Sequence, residues 1–273
     1  MNEMNKYFKY ALSMILLLLI VSGCSNPEKE KAIQNYNKVV TVIQKNNIQL
    51  KNEIKKVKKT VSSKDKPFDN STLEKATTAI TKARSKIIKI PEIPSKLEEI
   101  KSETKKLNSK TDIVSTITDL ENANTNLINS IKQKKQITNP SEAFIVERLT
   151  GLPNITGMES VTEDNDPNGN LNKQGGYTST VYFSSDLINQ EEVSGTTIVD
   201  KGTEAGGAVE VYRTEEDAKK RDTYLSAFDG SGPFNSGSHK VLGTIVIRTS
   251  DKLTASQQKQ LEQNIYNNLL VLK

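Results

Sequence analysis

The nine residues Asp164-Asn165-Asp166-Pro167-Asn168-Gly169-Asn170-Leu171-Asn172 bring oxygen-bearing side chains to alternate positions around a glycine. Counted as a cation loop, Asp164, Asp166 and Asn168 fall at positions 1, 3 and 5. Gly169 takes the turn position 6, Asn170 offers a carbonyl at 7, and Asn172 stands at 9. Hard oxygen ligands on a tightly curved backbone are what Ca²⁺ takes, and this spacing supplies both. The pattern fails at position 12, where Gly175 replaces a bidentate Glu, so Glu163, Asp186 or Glu204 would have to complete the shell. With so few carboxylates the affinity falls to roughly 10⁻⁴–10⁻³ M. Asp, Asn, Pro and Gly are also what any tight turn selects. A plain polar loop is therefore the first reading, with calcium as the one cofactor the spacing allows.

The remaining chemistry-bearing residues are sparse. Phe228-Asp229-Gly230-Ser231-Gly232-Pro233 and Gly237 form a glycine-rich stretch whose backbone N–H groups could cradle an anion or a peptide terminus. It lacks the Lys-Ser/Thr ending of a phosphate loop and does not lead from strand to helix. A flexible connection needing positive φ angles explains it as well. His239 is the one imidazole of the chain. Ser236 or Ser238 with Asp229 would complete a hydrolytic triad, but neither serine sits in a nucleophile elbow. The pair Glu191-Glu192 lies in a polar segment suited to solvation rather than glycoside chemistry. No catalytic residue is assigned, and the chain reads as a non-enzyme.

Composition removes further classes. One Cys and one His exclude an internal disulfide and any Cys- or His-rich metal centre. Trp is absent and aromatics make up 5%, which argues against a stacking platform for sugars or nucleic acid. The net charge of +5 conceals a polarity. Residues 25–140 carry 24 Lys and Arg against 13 Asp and Glu, whereas residues 141–273 carry 12 against 19. Two chemically distinct halves are expected to meet at Asn139-Pro140.

The lone Cys24 closes Val21-Ser22-Gly23-Cys24, behind Lys6, Lys9 and an apolar run from Ala11 to Val21. This is the charged, apolar, small-residue layout of a secretion signal, and the run is too short to span a bilayer. The ending resembles the lipobox of bacterial lipoproteins. That resemblance implies cleavage after residue 23, a diacylglyceryl thioether on Cys24, and anchoring on the extracytoplasmic face of the cell membrane. Two acyl chains suffice for stable attachment. Nucleic acid is then excluded as a partner by compartment.

Residues 24–27 read as a lipidated linker and 28–138 as a helical coiled-coil spacer. From Ile33 the seam runs Ile33, Tyr36, Val40, Ile43, Asn47, Leu50, Ile54, Val57, Val61 in alternating steps of 3 and 4. Asn47, its one purely polar member, is expected to fix register. A second helix repeats the spacing through Leu73, Ala76, Ile80, Ala83, Ile87 and Ile90, opened by a Ser71–Glu74 capping box and stopped by Pro91. A third opens with Ser95–Glu98 and runs Leu97, Ile100, Thr104, Leu107, then after a phase slip Ile113, Ile117, Leu120, Asn124, Leu127 and Ile131. A continuous third helix is the preferred reading. The alternative is a break at Asn108–Asp112 with Ser109 or Thr111 capping a new start. The cluster Lys55-Lys56-Val57-Lys58-Lys59 flanks a seam residue and reads as a solvated face.

Residues 139–273 read as a small α+β head. Asn139 caps a helix with Pro140 at its first position. Strands follow at about 155–161, 177–185 and 206–212, a helix from Thr214 over 215–228, a doubly buried strand at Val241–Ile247, and a closing helix opened by Thr254 and Gln257. The order predicts a mostly antiparallel sheet with helices on one face. The strings Thr162–Gly176, Gly202–Tyr212, Ala227–Gly230 and Ser236–Gly243 resemble a recurring extracytoplasmic domain of Gram-positive surface proteins, to which no activity attaches. Two roles follow as expectations. One is a membrane-anchored protein whose head binds a protein, peptide or envelope component. The other is an assembly role through coiled-coil pairing.

Overall fold

The computed structural model describes residues 26–230 and 236–273. The signal region, Cys24 and the Ser231-Gly232-Pro233 part of the glycine stretch lie outside the described residues. The architecture is α+β, an N-terminal helical region followed by a five-stranded antiparallel sheet. The chain divides into two compact units, one reaching to Lys55 and resuming at Thr81–Thr118, the other made of Lys56–Ile80 and Asp119–Lys273. The division falls inside helices, and the expected boundary at Asn139-Pro140 lies within the second unit.

In the first unit, helix α1 (Pro27–Val61) starts where Asn26 Oδ1 accepts the Glu28 N–H at 3.0 Å. The predicted seam is the buried face: Tyr36 and Ile43 pack with Ile100 and Leu107 of helix α3 (Leu97–Asn108), and Leu50 is fully buried. Asn47 does something other than set the register of a helix pair. Its Nδ2 donates to Ile88 O at 2.8 Å and its Oδ1 accepts the Ile88 N–H at 3.0 Å. Tyr36 donates to Pro91 O at 2.7 Å and Asn46 to Thr111 O at 2.6 Å. The polar groups of α1 therefore clamp main chain.

Helix α2 (Ser71–Ser85) ends earlier than the seam predicted, and residues 87–94 carry no helix. Pro91 and Pro94 hold the residues before them in extended conformations, so Ile87 and Ile90 leave the helical seam. Neither predicted capping box forms. Asp69 caps α2, taking the Ser71 N–H at 2.9 Å and its hydroxyl at 2.8 Å. At α3 the cap residue is Lys96, whose side chain bonds Glu99 at 3.0 Å and makes no capping bond to the helix backbone. The third helix is not continuous. It stops at Asn108 with Ser109 as C-cap, and α4 (Val114–Gln136) restarts beyond Asp112, whose Oδ1 accepts the Val114 N–H at 3.1 Å.

In the second unit, α5 (Glu142–Leu149) is capped by Ser141, which accepts from Phe144 N; Asn139 sits at φ 46° as part of the turn before it. The sheet order is β1 (Gly157–Ser160), β2 (Tyr177–Ser184), β3 (Gly206–Tyr212), β5 (Ile245–Thr249), β4 (Ser238–Leu242), with all neighbours antiparallel. The run Val241–Ile247 is thus a hairpin rather than one strand. Gly243 takes φ 61° at the turn, and Thr244 N–H donates to Ile137 O at 3.1 Å. Helices cover both faces of the sheet, which corrects the one-sided expectation. On one face Val181, Phe183, Val209, Val211, Ile245 and Ile247 pack with Ile145 and Leu149 of α5 and Leu261, Ile265 and Leu269 of α8 (Ala255–Leu270). On the other, Tyr182, Ala208, Tyr212 and Val246 pack with Val199 of the short α6 (Ile198–Lys201) and Ala218 and Leu225 of α7 (Glu215–Ser226).

Candidate functional site

Strand β3 is buried from end to end, and its side chains alternate between the two faces. Ala208, Glu210 and Tyr212 turn toward α7, so a carboxylate enters the middle of an apolar layer. Glu210 is 1% exposed. A charge that deep persists only when paired and hydrogen-bonded. The cap of α7 sets the phase that provides a partner. Thr214 Oγ1 accepts the Asp217 N–H at 3.1 Å, and Ala218, Arg221 and Leu225 then share the face that meets the sheet. Arg221 Nε reaches Glu210 Oε2 and Nη2 reaches Oε1, both at 2.9 Å. Arg248 projects from β5 on the same face as Val246 and donates from Nη1 to Oε1 at 3.0 Å; Tyr212 donates to Oε2 at 2.8 Å.

Burial by itself would raise the Glu210 carboxyl, but Arg248 and Arg221 together outweigh it and hold the group below the usual carboxylate range. The phenols beside it move the other way. Burial, and then the Glu210 charge, push both Tyr212 and Tyr182 upward. Two guanidiniums share one carboxylate, so a positive charge remains, and Arg248 Nε has no partner among the described residues.

This cluster is the floor of an open cleft of about 440 Å³. Arg221 and Arg248 line it together with Tyr182, Val199, Tyr224 and Phe228. Tyr224 and Phe228 meet edge-on at 5.1 Å between ring centres, and the Arg221 guanidinium lies 5.5 Å from the Tyr224 ring. Asp200 stands at the margin, its Oδ2 accepting from the Thr196 hydroxyl and the Thr197 N–H at the start of α6. A second depression of about 420 Å³ joins the first at Arg221 and Tyr224, and its far wall is Asn170, Gln174 and Tyr177.

The sequence-predicted loop therefore lies at this site, in a different role. Asp166 organises it, accepting the Asn168 N–H at 3.0 Å, the Leu171 N–H at 2.7 Å and the Tyr177 hydroxyl. These bonds outweigh desolvation and lower the Asp166 carboxyl, while burial and Asp166 raise the Tyr177 phenol. Asn172 takes φ 60° and its N–H bonds Tyr177 O at 2.8 Å. Asp164, Asn168 and Asn170 are exposed. Of the proposed shell-completing carboxylates, Asp186 accepts from Asn154 at 3.0 Å and Glu204 pairs with Lys252 at 3.1 Å. Among the described residues no group of three or more His, Cys, Asp or Glu converges on a metal position.

His239 is brought between two carboxylates, Nδ1 at 2.7 Å from Asp222 and Nε2 at 3.3 Å from Asp229. Ser236 Oγ lies within hydrogen-bond reach of Asp229 at 2.9 Å and Leu225 O at 3.2 Å, with its one proton available to either. Ser238 donates to Glu262 at 2.6 Å. Neither hydroxyl bonds the imidazole. Glu191 and Glu192 lie exposed in a short 3₁₀ turn.

Glu210, Arg221 and Arg248 were not singled out from sequence. A signal existed, since a Glu inside Ala208-Val209-Glu210-Val211-Tyr212 breaks an otherwise apolar strand and demands a buried cation. Compared with models of protein families, with curated proteins and with solved structures, the chain matches none.

Proposed function

We propose that this is a lipid-anchored, non-enzymatic surface protein. Cys24 carries the lipid on the extracytoplasmic face of the membrane, and the sheet domain binds a protein, peptide or envelope component. The observation that carries the binding role is the cleft over Glu210, where two arginines outnumber their carboxylate beside the exposed ring of Tyr224. Concave sites with apolar walls and a few convergent polar groups are where ligands bind. Both ring nitrogens of His239 face carboxylates and the nearby serines bond elsewhere, which favours binding over acyl transfer. No described helix is long and apolar enough to cross a membrane; the anchor in this reading is the lipid on Cys24. The assembly reading is disfavoured by the α1 seam, where Ile43 and Leu50 are fully buried against the chain's own residues.

The test has two readings. Replacing Cys24→Ala should release the protein into the medium, and retention by the cells would refute lipid anchoring. The released chain, fluorescently labelled, should then bind intact cells saturably; absence of saturable binding would end the proposal of a surface ligand.

A further inference from the structure

We infer that the Arg221–Arg248 cleft takes a monoanionic carboxylate attached to an apolar or aromatic body. This rests on the reading that the sheet domain is a binding module, and it names the chemistry of the ligand. The charge count selects the anion. Two guanidiniums against Glu210 leave one positive charge, which one carboxylate neutralises and a dianionic phosphate would overshoot. Asp200, at the margin of the cleft, keeps its own charge, which the bonds from Thr196 and Thr197 favour, so a second negative charge on a ligand would be repelled there. A guanidinium has more N–H groups than its share of Glu210 can accept, and Arg248 Nε, though itself buried, has no partner among the described residues.

The walls select what carries the carboxylate. Tyr182, Val199, Leu225, Tyr224 and Phe228 give apolar and aromatic surface around the positive floor. Tyr224 is 58% exposed and packs edge-on against Phe228, so its ring presents aromatic surface to whatever enters the cleft. The adjoining depression, lined by the side-chain amides of Asn170 and Gln174, extends past Tyr224 and offers hydrogen bonds to whatever continues from the body. The C-terminus of a peptide ending in an apolar residue has this layout, and so has a free aryl or alkyl carboxylate.

Calorimetric titration of the full chain in detergent separates the possibilities. The probes are N-acetyl-Phe-Ala with a free C-terminus, the same dipeptide as its amide, phenylacetate, and inorganic phosphate. The free acid should bind on the order of 10-fold more tightly than the amide, the value of a charge-assisted pair over a neutral one. Arg248→Gln should abolish that preference; Arg221 still holds both Glu210 oxygens in this variant. Tyr224→Ala, on an exposed ring that leaves the ion cluster intact, should weaken acid and amide alike by a few-fold and preserve their ratio. Phenylacetate binding as tightly as the dipeptide acid supports a free carboxylate ligand, and much weaker binding supports a peptide terminus. Equal affinity for acid and amide, preference for phosphate, or no heat with any probe overturns the inference. If Arg248→Gln fails to fold, the acid-to-amide ratio in the unmodified chain and in Tyr224→Ala decides. Saturable cell binding without carboxylate preference sinks this inference alone; carboxylate preference without cell binding sinks the surface role alone.

Discussion

Replacing Glu210→Gln isolates the buried ion cluster, because the amide keeps the shape of the side chain and removes its charge. Glu210 accepts two bonds from Arg221, one from Arg248 and one from Tyr212, at 2.8–3.0 Å. In the variant one acceptor becomes a donor facing other donors, and two largely buried guanidiniums lose their counter-charge. Breaking a buried pair from one side costs about 3–5 kcal/mol. Domains hold about 5–15 kcal/mol in total, so the second unit loses a large share. The midpoint should fall by roughly 6–20 °C at 2–4 °C per kcal/mol for a unit of this size. The assay is urea unfolding followed by near-ultraviolet circular dichroism, where Tyr182 and Tyr212 report on this face of the sheet. The triple change Glu210→Leu, Arg221→Met, Arg248→Met is the control, since apolar replacement of a whole buried cluster is often close to neutral. The sign with pH follows from the lowered carboxyl. Its stabilising contribution is complete above the unfolded value of about 4.3 and is lost as pH falls through the lower folded value. Acidification from pH 7 to 5 should therefore change little, with loss below about pH 4 that Glu210→Gln flattens. A Glu210→Gln chain within about 1 kcal/mol of the parent, or a triple variant weaker than the single one, would refute the reasoning.

Asn47→Ala removes both bonds to the Ile88 backbone and should cost about 1–3 kcal/mol, read as faster hydrogen exchange at the Ile88 amide. Gly243→Ala places a Cβ 2.5 Å from Ile137 O at φ 61°; a loss of at least about 1–3 kcal/mol in a thermal melt is expected. Melts in millimolar Ca²⁺ and in EDTA should superimpose, because Asp166 already spends both oxygens on Asn168, Leu171 and Tyr177. Asp166→Ala should lower both curves equally, and a calcium-dependent rise in the parent would restore the cation-loop reading.

The elements most legible in the sequence were those with two independent signals. Helix α8 showed both apolar spacing and a Thr cap, α7 showed its Thr cap, and Thr214 and Thr254 make the expected bonds. Strands β2 and β3 carried β-branched and aromatic residues within a residue or two of their observed ends. The misses occurred where one signal spoke alone. An all-apolar run has no period, so Val241–Ile247 passed for a single strand and only Gly243 marked its turn. A heptad seam continues on paper through Ile87 and Ile90, although Pro91 and Pro94 already forbid helix there. The phase slip at Asn108–Asp112 was visible, and it marked the end of one helix and the start of another rather than a bend in one helix. The cation spacing of residues 164–172 was real as a pattern, but the hydroxyl of Tyr177, several residues beyond it, claims its central carboxylate. Glu210 could be recognised as buried from its neighbours, whereas the identity of its partners depended on strand order and helix phase.

Tyr36, Asn46 and Asn47 of α1 address the main chain opposite them: Pro91 O, Thr111 O, and Ile88 N and O. A grip on peptide groups is indifferent to the side chains it passes. Within 86–92 only the exposed positions Lys86, Lys89 and Glu92 are therefore free to drift, because Ile88 and Ile90 pack against the core of this unit. Those three can be exchanged for foreign residues, with the first unit serving as a display frame whose tolerance is set by chain length and by the two isoleucines.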